Sequence, residues 1–102
     1  MADRPPARLA RRAEAQFEAI LEALGDPPRQ AAAIEALSAA AVLLGTHPEV
    51  GAPRRDLVDA PYRVWWFGPG RSLILVYNPG RTPPLIVAVS RSSARIGLRR
   101  PR

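Results

Sequence analysis

Arginine carries most of the reactive potential of this chain, and its placement is lopsided. Ten of the fifteen arginines fall in residues 52–102 against only Asp56 and Asp59, a local balance of +8. Residues 1–51 hold five arginines and seven acids, a balance of −2. Lysine is absent, so every cation is a planar fork suited to bidentate contact with phosphate or carboxylate. A guanidinium neutralises negative charge well. With a pKa above ~12, however, it neither gives nor takes protons near neutrality. Cysteine is missing and His47 is the only histidine, which removes thiolate chemistry, disulfides, His-based metal sites and most catalytic triads. What remains is recognition chemistry: a basic half, interleaved with Trp and Tyr, that suits nucleic acid or a protein handling it. The plainer reading of the same excess is solubility.

Seven cations are candidates for contact with a target or with nucleic acid: Arg54, Arg55, Arg63, Arg71, Arg81, Arg91 and Arg95. Trp65 and Tyr77 are candidate anchors for a partner segment. Each has an ordinary alternative. Arg54-Arg55 can simply solvate a loop, Tyr77 can be core with a satisfied hydroxyl, and one of the adjacent Trp65 and Trp66 must face the core. Arg63 sits within an apolar strand. It must therefore lie on an open face or hold a carboxylate such as Asp56 or Asp59. His47, before Pro48, reads as structural. Gly68-Pro69-Gly70 and Asn78-Pro79-Gly80 are turn chemistry, lacking the strand-loop-helix context of a phosphate loop.

The elements that must position these residues follow from periodicity. Ala13, Phe17, Ile20, Leu21 and Leu24 recur at helical spacing, which predicts a first helix starting between Ala7 and Arg12 and ending at Gly25. A short edge strand around Ala7–Leu9 can precede it. Asp26-Pro27-Pro28 restarts the chain into a second helix over Pro28–Leu44, with Ile34, Leu37, Ala41 and Leu44 as its stripe and Gly45 as its stop. A long Pro- and Gly-punctuated loop then runs to Pro61. Three strands are expected at Tyr62–Phe67, Arg71–Tyr77 and Leu85–Ser90, joined by short connections that force antiparallel pairing. If Phe67 opposes Arg71, then Arg63, Trp65, Phe67, Leu73, Leu75 and Tyr77 share one face. Tyr62, Val64, Trp66, Ile74 and Val76 share the other. Both faces are apolar, and a helical hairpin covers only one. The expectation is an uncovered, sticky face, the one bearing Arg63, filled by a partner.

This order of events resembles the RelE/ParE family of bacterial toxins from type II toxin–antitoxin pairs. The residues carrying the resemblance are spread over about 9–96: Ala13, Phe17, Ile20 and Leu21 in the first helix; Leu44, His47, Pro48 and Gly51 after the second; Leu57; Tyr62-Arg63-Val64; Val76-Tyr77; and Ile86–Val89 with Arg91 and Arg95. The resemblance implies an α+β fold, an N-terminal antiparallel helical hairpin on a small three- to four-stranded antiparallel sheet. It implies a cognate acidic antitoxin as partner, with plasmid stabilisation and growth inhibition as the biological setting. Two targets occur in the family. Ribonuclease members cut messenger RNA on the ribosome through basic side chains on the sheet; ParE-like members bind DNA gyrase without hydrolysis.

The residues favour the second target. Arg63 and Arg91 fall on basic positions of the ribonuclease pattern and are the weak catalytic candidates. Trp65 and Ile74 occupy two other positions that are basic in ribonuclease members, although Arg71 lies near by loop shift. After Ser90 no Tyr, His, Lys or acid supplies a proton donor. A ribosome-dependent, metal-independent ribonuclease, a non-toxic basic nucleic-acid-binding module and a degenerate family member remain alternatives.

At 102 residues the chain is expected to form one domain, with the basic stretch at about 97–102 frayed. No apolar run approaches the ~18 residues a membrane span needs, and Met1–Pro6 leads into no apolar signal segment. The expectation is a cytoplasmic protein without metal, cofactor, membrane or small-molecule substrate.

Overall fold

The computed structural model describes residues 4–92. Arg95 and the 97–102 tail lie outside the described residues. A two-residue strand β1 (Arg8–Leu9) leads into α1 (Arg11–Leu24) and α2 (Pro27–Thr46), followed by β2 (Arg63–Phe67), β3 (Leu73–Asn78) and β4 (Leu85–Arg91). Gly25 ends α1 in the left-handed region (φ 67°) and returns its N–H to Leu21 O, a conformation that costs glycine least. The Asp26 carboxylate accepts from Arg29 N–H at 3.2 Å and opens α2, with Pro27 and Pro28 in its first turn. Gln30 Nε2 donates to Leu21 O at 2.8 Å and ties the two helices together.

The strands form one sheet in the order β1-β4-β3-β2. The expected antiparallel arrangement holds for β2, β3 and β4, but β1 runs parallel to β4, so the sheet is mixed. The register also differs. Phe67 pairs with Leu73 and Arg63 with Tyr77, so Arg71 is not opposite Phe67. The reason is the turn: Pro69–Arg71 makes a single 3-10 turn, flanked by Gly68 (φ 83°) and containing Gly70 (φ 63°), and Arg71 itself takes φ 55°. This turn keeps Arg71 out of the ladder. Because the slip is even, every side chain keeps its expected face.

Trp65, Phe67, Leu73, Leu75 and Tyr77 pack with Ala13, Phe17, Ile20, Leu37, Leu44 and Ile86 beneath the helices. Val64, Ile74, Val76 and Ala88 form a second cluster on the opposite face. The expected open face is therefore the wrong one: the helices lie on the Arg63 side. Nor is the other face bare. The loop between α2 and β2 crosses it and seals it with Val58, which is 0% exposed, while Leu57 and Tyr62 pack at the margin. An apolar loop residue placed over four buried strand residues was not visible as a cover, because a loop has no periodicity to betray its inward side.

The second helix is longer than its stripe suggested. Gly45 lies inside it rather than stopping it, since the N-terminal segment crosses there: a Cβ on Gly45 would collide with the Pro5 carbonyl oxygen. Ala7 N–H donates to Ala41 O at 2.9 Å in the same crossing. Ala33 and Ala40 take core positions, while Ile34, expected in the stripe, is 49% exposed. Among the described residues no helix is long and apolar enough to cross a membrane.

Candidate functional site

Arg54 and Arg71 meet over the Trp66 ring, but the remaining cations do not join them in one cluster. Arg54 and Arg55 lie in the α2–β2 loop over the second face, and Arg63 starts β2 near the Asn78–Pro84 loop that carries Arg81. Arg71 and Arg91 sit at the far end of the sheet, where Leu73 pairs with Arg91. Leu73 and Tyr77, the partners of Arg91 and Arg63, are four residues apart along β3, about 13 Å at strand rise.

Several arginines are also occupied. Arg63 Nη1 donates to Gly51 O at 2.7 Å and to Glu49 O at 3.2 Å, so its charge is met by loop carbonyls rather than by the expected Asp56 or Asp59. Arg55 Nη1 donates to Tyr62 O at 2.9 Å and to Val58 O at 3.3 Å, clamping the loop that covers the second face. Arg54 makes a fork with Asp56, Nε to Oδ1 at 2.8 Å. The pair is exposed and contributes little to stability. Arg54 and Arg71 each stand over the Trp66 ring, at 5.7 and 5.5 Å from its centroid. Arg81 is exposed in the β3–β4 loop.

Tyr77 is not in a groove. It is 0% exposed; its hydroxyl accepts from Gly51 N–H at 2.9 Å and donates to Pro48 O at 2.6 Å. Burial pushes its phenol above the ordinary tyrosine range, opposed by the Gly51 hydrogen bond and the charge of Arg63. A Cβ on Gly51 would lie 2.6 Å from the Tyr77 ring, so only glycine lets the loop pass this close. The expected anchor is thus a core post that holds the start of the loop.

Trp65 does line a groove. The groove runs between α2, through Ala36, Ala39 and Leu43, and β2, through Trp65 and Trp66, and closes at Pro69. Both indoles are half-buried. Beside it β2 is a sheet edge: Val64 exchanges both backbone hydrogen bonds with Ala52 at 2.9 Å, so Val64 points its backbone away from β3. By strand alternation Trp66 does the same, and its N–H and C=O face outward. An edge of this kind accepts a further strand.

One wall of this surface was missed in the sequence. Between Ala36 and Thr46 helix α2 has no charged residue, and Ile34 and Val42 are both exposed, at 49% and 55%. A helix that is apolar on all sides calls for cover on all sides. That uninterrupted run was the available signal, obscured because the stripe was read as facing inward.

A family model described as the ParE toxin of the type II toxin–antitoxin system parDE matches residues 7–95. Comparison with curated proteins returns no match, and comparison with solved structures returns none. The match takes in both helices, all four strands and the loop that seals the second face. Type II membership implies an antitoxin partner, and an apolar helix beside a strand edge left open at Trp66 is a surface that suits one. The chain belongs to the ParE toxin family of type II toxin–antitoxin systems.

Proposed function

We propose that this toxin acts by binding rather than by cutting RNA, with DNA gyrase as its target, and that it inhibits growth in the cytoplasm until an antitoxin covers the α2–β2 groove. The observation carrying this reading is Arg63, whose Nη1 is tied to the Glu49 and Gly51 carbonyls. That anchor holds the guanidinium against the α2–β2 loop, at the opposite end of the sheet from Arg91. Trp65 lies in the groove and Ile74 is buried, so two further positions of the ribonuclease pattern offer no charge. Arg71 stacks on Trp66, and Arg91 lies across the sheet from the Arg63 end. Positioned charge is what metal-free RNA cleavage requires, and here Arg63 and Arg91 stand at opposite ends of the sheet.

The antitoxin segment is read as apolar and acidic, burying Trp65 and pairing with the outward backbone of Trp66. Purified protein incubated with gyrase and relaxed plasmid should block supercoiling. The same protein added to translating ribosomes should leave messenger RNA intact. Cleaved messenger RNA with unaffected gyrase would reverse the assignment. Expression alone should arrest growth, and co-expression of the cognate antitoxin should restore it.

A further inference from the structure

A continuous track leads away from the α2–β2 groove around the β2–β3 turn. The groove shares Ala32 and Pro69 with a hollow of about 400 Å³ between the helical hairpin and the start of β3. That hollow shares Leu24, Arg29, Ser72 and Leu73 with a cleft that ends at Arg91 and Ser92. The cleft has an apolar floor, Leu24 and Leu73. Its rim carries two guanidiniums, Arg29 from the first turn of α2 and Arg91 from the last residue of β4, with the Ser72 and Ser92 hydroxyls beside them.

These two arginines differ from those of the covering loop. Among the described residues neither guanidinium has an ion pair or side-chain hydrogen bond, and no carboxylate lines the cleft. No aromatic ring lines it either, so it offers no platform on which a base could stack. Two forks over an apolar floor suit carboxylates flanking an aliphatic side chain.

We propose that the Arg29–Arg91 cleft is an acid clamp for an extended partner segment, seating one aliphatic side chain on Leu24 and Leu73 and two carboxylates on the guanidiniums. It continues the α2–β2 groove, so a single segment occupies both, its apolar part beside Trp66 and its acidic part at Arg91. Assigning that segment to the antitoxin rests on the toxin reading above; the clamp chemistry itself does not.

The test uses the full chain and a labelled peptide, Leu-Glu-Glu-Leu-Asp-Glu, with its Gln/Asn twin and a single-stranded oligonucleotide as competitors. The acidic peptide binds, and more weakly as salt rises. Arg29→Gln and Arg91→Gln each weaken it about 3- to 10-fold, and the double variant by more than about 10-fold. Both side chains are exposed and, among the described residues, unpartnered, so the variants keep the fold, checked by thermal melting. Arg12→Gln removes the same charge about 18 Å along α1 from Leu24 and changes binding less than about 2-fold. The clamp is wrong if Arg12→Gln matches Arg29→Gln, if the neutral twin binds as well, if the oligonucleotide displaces the peptide through Arg29 and Arg91, or if the acidic peptide does not bind. Binding is read without toxicity. A chain that never arrests growth yet holds the peptide overturns only the toxin reading, and a toxic chain that ignores the peptide overturns only the clamp.

Discussion

The two faces of the sheet are closed by different kinds of structure. On one, α1 and α2 lay Ala13, Phe17, Ile20, Leu37 and Leu44 over Leu75, Tyr77 and Ile86, and the helices satisfy their own backbone. On the other, an irregular loop closes over Val64, Ile74, Val76 and Ala88 through Val58. A loop without a ladder must find other partners for its carbonyls. Here side chains supply them: Arg55 for Val58 and Tyr62, Arg63 for Glu49 and Gly51, and Tyr77 for Pro48. The contrast explains why a basic half does not make a uniformly basic surface. Part of its arginine is the internal fastening of an irregular cover, while Arg91, joined by Arg29 from the acidic half, lines the cleft.

Mutations can test how unequal the two covers are. The largest loss is expected for Leu44→Ala under the helices, about 3 kcal/mol by urea unfolding, since a fully buried leucine leaves a cavity. Val58→Ala, the equivalent cut in the loop, should cost about 2 kcal/mol. If it costs nothing measurable, the loop is a flap and the second face is effectively open. Tyr77→Phe should cost about 1–2 kcal/mol, because Gly51 N–H and Pro48 O lose their buried partner.

The same tyrosine sets a pH dependence. Its phenol is raised in the fold, so its stabilisation is complete below about pH 10, where the unfolded phenol is also protonated. It is lost as pH rises through the folded value. The stability difference between the parent and Tyr77→Phe should therefore shrink in alkaline unfolding curves; a constant difference contradicts the burial argument. Arg55→Gln should cost about 1 kcal/mol, and proteolysis should then cut first within 52–62 if the guanidinium is the fastening. Trp65→Ala, at the half-buried indole of the groove, should be the mildest for stability, about 1 kcal/mol, yet should abolish rescue by the antitoxin.

Much of the frame was legible in the sequence. The 3.6-residue spacing of Ala13, Phe17 and Ile20, the left-handed stop at Gly25 and the Asp26-Pro27 restart all lie where local chemistry puts them. The sheet faces survived a register slip because two residues restore the alternation. Gly45 misled because a glycine normally ends a helix, while this one makes room for Pro5. Tyr77 misled because a phenol suits a partner surface and a buried carbonyl equally well.

Periodicity and turn chemistry, acting over a few residues, determined by themselves where this chain makes helices, strands and turns, and which strand side chains share a face. Only the tertiary structure decided which face each cover took, which arginines were drawn into it and which were left facing the cleft. A guanidinium finds its partner by reach through space. The carbonyls of Glu49 and Gly51 come within reach of Arg63 only after the loop has crossed the sheet.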